Sequence, residues 1–227
     1  MIRLIEDTPG QEIGSHTFSH YYVLEKGQSK AAFEADREAF SNIMKSKKKR
    51  IKSIIFPRNQ INQSYLEICD KMGFLAYRGN EKGWVYHIKE NDRKNYFKRG
   101  LRLIDMYVNI FGYQSYLIES VSNNELLNVK GSRQLKPVST SLKSLEHRRL
   151  KRILNSITHA AKKGEVYHLW WHPDNFGIQL KENLIFLKEI LKHYKYLKEI
   201  YNFQSVNMEN IAYQYTNELG DRRGEMK

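Results

Sequence analysis

One cysteine, Cys69, stands among 227 residues, so the chain can close no internal disulfide. A lone thiol inside a helical pattern reads as a small buried hydrophobe and suggests a reducing compartment. No apolar run approaches the roughly 20 residues that span a bilayer, and the first residues lack the apolar stretch of a signal peptide. The expectation is therefore a soluble, cytoplasmic protein with no membrane partner. Internal repeats and low-complexity tracts are missing as well, which leaves no sign of a repeat architecture.

What is present fits one folded domain over residues 1–227. Hydrophobic residues make up 41% and aromatics 12%, with 15 tyrosines, too apolar for a disordered chain. Lysine and arginine number 38 against 25 acidic residues, a formal charge of +13, so anionic partners enter the field. The densest basic run, Lys45 to Arg50, ends a helical pattern, where cations complement the helix dipole. Basic residues elsewhere are not interleaved with aromatics in the manner that stacks bases, which puts nucleic acid last among the partners.

Short β-like runs alternate with longer helical ones, the pattern of parallel strands joined by helical crossovers. Residues 29–48 read as a helix capped by Ser29, with Phe33, Phe40 and Met44 near one face. "KSIIFPRN" then reads as a strand, "NQSYLEICDKMG" as a helix closed by Gly73, and "FLAYRGN" as the next strand. Helical stretches follow at 94–112, 145–163 and 180–202, with an irregular insertion over about 112–144 between the first two. "EVYHLWWH" reads as an apolar strand stopping at His172-Pro173. "FQSVN" reads as a short strand, and 208–219 as a last helix. Unusual polar residues gather just after strands: His16 and His20, Arg58 and Asn59, Asn80, and His172. In parallel β/α folds that rim is where sites are built, so the pattern predicts one cleft.

His16 and His20, four apart after a strand, suit a cation because neutral imidazole is a good zinc ligand. The spacing alone is weak, since any two of eight histidines fall four apart readily. The order "IGSHTFSH", "FPRNQ", "LWWHPDNFG" resembles three motifs of the polysaccharide deacetylase family (the NodB-homology domain, carbohydrate esterase family 4), and the resemblance covers most of the chain. The family's His-Ser/Thr-x-x-His motif reads His16-Thr17-Phe18-Ser19-His20. Its Leu-x-x-His motif reads Leu169-Trp170-Trp171-His172. Its arginine motif is looser, at Phe56-Pro57-Arg58-Asn59, and of its groove motif, over Asn80 to Trp84, only Trp84 survives.

The resemblance implies a (β/α) barrel and the metal-dependent hydrolysis of acetyl groups, N-acetyl foremost, on a polysaccharide or glycan precursor. It implies that His16 and His20 bind a divalent metal, usually zinc, and that His172 protonates the leaving amine. Leu169 would line the acetyl pocket, and Arg58 would orient the acid that serves as base. Trp170 and Trp171 lie on opposite strand faces, so one belongs to the core and the other floors a sugar groove; Trp171 and Trp84 are taken as the substrate-binding pair. The other histidines carry no assigned chemistry. The family's Thr-Phe-Asp-Asp motif, which supplies the base and the third metal ligand, has no counterpart before His16. The expectation is an incomplete α/β barrel whose first β/α portion is missing, either N-terminally shortened or completed by a second chain. The alternatives are an inactive carbohydrate-binding remnant and, last, a basic nucleic-acid module.

Overall fold

Side-chain caps set where most of the early helices begin. The Ser29 hydroxyl accepts the Ala32 N–H at 3.1 Å and opens α2 (Lys30–Ser46), and Asn62 accepts the Ser64 N–H at 3.1 Å and opens α3 (Gln63–Lys71). Asn95 opens α4 (Tyr96–Asp105) in the same way. Each satisfies a donor that the first helical turn leaves orphaned. Farther on, α5 (Glu146–Lys163) stops at Gly164, whose φ of +65° is the left-handed closure that glycine adopts without steric cost. The computed structural model describes residues 2–87, 95–118 and 126–224, with the side chains of 2 and 217–224 left aside. It adds a short α1 (Ile2–Glu6), α6 (Pro173–Phe176), α7 (Leu180–Tyr201) and α8 (Met208–Gly224).

The strands are short: β1 (Ser53–Ile54), β2 (Ala76–Tyr77), β3 (Leu127–Asn128), β4 (Arg133–Gln134) and β5 (Leu169–Trp170). All pairings among them are parallel, β1 with β2, β2 with β3, and β4 with β5, and Ser15 adds a parallel bridge to Ile54 on the outer side of β1. β3 and β4 are successive parts of one extended run. Gly131 N–H still reaches the Gly79 carbonyl at 2.8 Å, and the next residue, Ser132, already donates to the His168 carbonyl at 2.9 Å. The order across the sheets is thus the order along the chain: Ser15, β1, β2, β3–β4, β5.

Alternate residues feed opposite layers, as a pleat requires. Ile54, Tyr77 and Leu126 join the core beneath α2 and α3, with Phe33, Tyr65 and Cys69. Their neighbours Ile55, Ala76 and Leu127 pack against Met208, Ile211 and Ala212 of α8. Both faces of this parallel sheet are covered, as parallel sheets need. The third core lies between β4–β5 and the pair α5 and α7, around Leu135, Ile153, Ile157, Phe186 and Ile190. Burial pushes the Cys69 thiol up to about 12, in keeping with a packing role.

Two expectations change, and one is met in part: the chain is mixed α/β with parallel strand order, and no closed barrel forms among the described residues. Paired segments two residues long, running from Ser15 to β5, are too few to roll shut, when a small closed barrel needs about eight strands. The stretch 112–144, expected as an irregular insertion, contains β3 and β4 and so carries the central strand; residues 119–125 lie outside the described set. "FQSVN" is not a strand: residues 203–207 cross as a loop to Asn207, which caps α8 by accepting the Asn210 N–H at 2.8 Å. No helix among the described residues is long and apolar enough to cross a membrane.

Candidate active site at the strand ends

The loop after Ser15 is built from below by a buried carboxylate. Asp36, on α2, accepts the Phe18 N–H at 3.0 Å and both the N–H and the hydroxyl of Ser19, at 2.7 and 2.5 Å. Arg37, fully buried, pairs with Asp36 at 2.7 Å and donates to the Ser15 hydroxyl at 2.6 Å. Burial alone would raise the Asp36 pKa; the Ser19 hydroxyl, the Phe18 N–H and Arg37 outweigh it and hold the group below the usual carboxylate range. The loop needs this support because Thr17 and His20 have φ of +63° and +57°, a region that costs non-glycine residues free energy and gathers at functional sites.

The two imidazoles of that loop meet edge to face, ring centroids 4.9 Å apart. His16 Nδ1 lies 2.8 Å from the Ile55 carbonyl. A carbonyl only accepts, so Nδ1 carries the proton and Nε2 is left as a lone-pair donor, the orientation seen in metal-ligating histidines. Burial is the largest influence on the His16 pKa and lowers it; the nearby charges of His20, Arg78 and His172 act in the same direction, and only the Ile55 hydrogen bond opposes them. The influence of His172 is the smallest of these, and its ring contact is with Trp170, whose face covers Arg78.

A cavity of about 890 Å³ is lined by residues that include Asn59, Glu81, Tyr86, Arg133 and Trp170, and His16, His20 and His172 are not among its lining residues. Trp170 is its hinge point: its ring stands edge-on to His172 at 5.5 Å, covers the Arg78 guanidinium at 4.2 Å, and turns Nε1 toward Glu81 at 3.4 Å. Arg78 also donates to Asn59 Oδ1 at 2.7 Å, and burial brings its pKa down to about 10. Asn80 Nδ2 donates to the Asn59 carbonyl at 3.1 Å. Gly79 permits this packing, since a Cβ there would sit 2.0 Å from Asn128 Oδ1. Glu81 is the single carboxylate among the lining residues; burial raises its pKa, against the pull of the Trp170 N–H, Arg78 and Arg133.

The floor is tied together by Asp105. Its carboxylate pairs with Arg133 at 3.0 Å and Arg152 at 3.5 Å and accepts the Tyr86 hydroxyl at 2.6 Å, so α4, β4 and α5 share one buried charge. Burial works to raise the Asp105 pKa, and the Tyr86 hydroxyl, the Phe111 N–H and Arg133 together bring it below its ordinary value.

The remaining expected site residues lie elsewhere. Arg58, with φ of +57°, turns away from the cavity, donates to Glu25 at 2.9 Å and lies 3.6 Å from the Tyr22 ring centroid; the arginine beside the cavity acid is Arg78. Leu169 packs outward on the α5–α7 core. Trp171 stacks on Phe176 at 5.9 Å, and the exposed Trp84 stacks on Phe97 at 6.5 Å; neither lines the cavity. Sequence reading passed over Arg78 and Glu81, which follow β2, and the choice of Trp170, which ends β5.

Among the described residues no group of three or more His, Cys, Asp or Glu side chains converges as a metal site. His16 and His20 offer two nitrogen ligands, whereas a catalytic zinc takes about three from protein; the pair fits half of such a set. Comparison with protein-family models, with curated proteins and with solved structures finds no match to this chain.

Proposed function

We propose that the chain takes part in the hydrolysis of N-acetyl groups on a glycan, at an open β/α site of the polysaccharide deacetylase type. One observation carries the reading: the His16 and His20 rings stand 4.9 Å apart, with His16 Nδ1 tied to the Ile55 carbonyl so that Nε2 is the ligating nitrogen. His16 Nε2 and the His20 ring would hold a divalent metal, zinc by ligand type, whose chemistry when bound is to polarise the acetyl carbonyl and acidify a water. Glu81, its pKa raised by burial, takes a proton from the attacking water. The water oxygen bonds to the acetyl carbon, the C–N bond breaks, and His172 gives its proton to the departing nitrogen. Acetate and a free amine result. Trp170 offers its face to the apolar side of a pyranose.

The incomplete ligand set favours a second reading, a glycan-binding chain that is inactive alone or acts with a partner chain supplying the missing carboxylate. Acetate release from chitohexaose, assayed with added Zn²⁺, separates the two. The hydrolytic reading expects release that disappears in His16→Ala and His20→Ala; glycan binding without release by the chain alone supports the second, and neither binding nor release rejects both.

A further inference from the structure

One wall of the cavity is unusually cationic. Arg99 and Arg102, on successive turns of α4, and Lys136, just past β4, line it together with Arg133. Arg133 is matched by Asp105. The other three form no ion pair with a carboxylate among the described residues: Arg99 lies over the Tyr96 ring at 5.7 Å, and Arg102 Nε donates only to the Lys98 carbonyl, at 3.3 Å. They also crowd one another, since the Lys136 pKa is lowered by burial first and then by the charges of Arg102, Arg149 and Arg99. Glu81, the one acid among the lining residues, is directed to the Trp170 N–H at 3.4 Å rather than to these three cations. Like charges held together around a concave surface raise the local concentration of anions.

Resting on the deacetylase reading above, we propose that the substrate is an acidic glycan, whose carboxylate or phosphate groups, on sugars flanking the acetylated one, are held by Arg99, Arg102 and Lys136. The aromatic lining of Tyr86, Tyr96 and Trp170 suits sugar rings better than a bare anion. The cavity volume of about 890 Å³ is within the range that encloses a small ligand rather than a flat contact.

Calorimetric titration of the purified chain with hyaluronan hexasaccharide, chitohexaose and the oligonucleotide dT6 tests this. All three probes have six units, and the first alternates N-acetylated sugars with carboxylate-bearing ones. The expected result is binding of the acidic hexasaccharide roughly tenfold tighter than the neutral one at low salt, a preference that fades as salt screens it. The preference should vanish in Arg102→Gln/Lys136→Gln, with Arg99→Gln as the independent surface variant should the double variant unfold. Equal affinity for the two glycans, tighter binding of dT6, or a preference surviving these substitutions overturns the inference. Acidic preference without acetate release leaves the charged groove standing and removes the hydrolytic reading, while release from chitohexaose without any preference does the reverse.

Discussion

The two histidine-bearing ends of the site are built differently. The loop of His16 and His20 is bolted to the core: a buried Asp36–Arg37 pair holds its backbone, and the Ile55 carbonyl fixes one ring. His172, by contrast, is exposed, precedes the short α6 and touches the site through the edge of Trp170. A pair of ligands must be positioned before a metal arrives, whereas a proton donor needs freedom to reach a substrate and to exchange its proton with water. The difference separates residues whose loss unfolds the chain from residues whose loss only silences it.

The sharpest way to break this contrast is Asp36→Ala. It strands a fully buried Arg37 and frees the loop, and urea unfolding should show a loss of about 3–5 kcal/mol. A loss under about 1 kcal/mol would mean the loop is held by something else. Next comes acid. Burial and the Arg78 charge bring the His168 pKa down to about 4 from 6.5. In the unfolded chain this ring takes its proton as pH falls through about 6.5, and in the folded chain only near 4, so stability should fall by about 3 kcal/mol across that window. Unfolding curves from pH 7 to 4 should show the decline, and His168→Asn should flatten it. A smaller effect, about 0.5–1 kcal/mol, is expected for Arg58→Ala, which loses an exposed ion pair and a ring contact; acetate release should change by less than about twofold. His172→Ala should leave stability within about 0.5 kcal/mol and yet cut acetate release by roughly 10²–10⁴.

The same contrast explains what was legible in the sequence. The helices with clear caps, Ser29 and Asn62 among them, and the order of β/α units are local properties and read directly. His16, His20 and His172 stood out as polar residues just after strand-like runs, and His16 does follow the Ser15 bridge and His172 lies just beyond β5. The central strand was hidden because Gly131 and Ser132 interrupt its apolar pattern where it changes partners from β2 to β5. Trp170 and Trp171 alternate, and alternation alone does not say which face is concave. Arg58 stood in the better-looking motif, but the positive φ at Arg58 and Asn59 turns its side chain to Glu25. Glu81 lay within the Asn80–Trp84 stretch matched to the family's groove motif; its importance comes from burial against Trp170, which a residue 89 positions away supplies.

The central claim, that three imidazoles from opposite ends of the chain share one rim, is tested most directly by following imidazole ¹⁵N resonances during Zn²⁺ titration. The account predicts that one equivalent moves the His16 and His20 signals together, and that His172 responds in the same titration. Independent responses of His16 and His20, or no change in His172 while they shift, would contradict it.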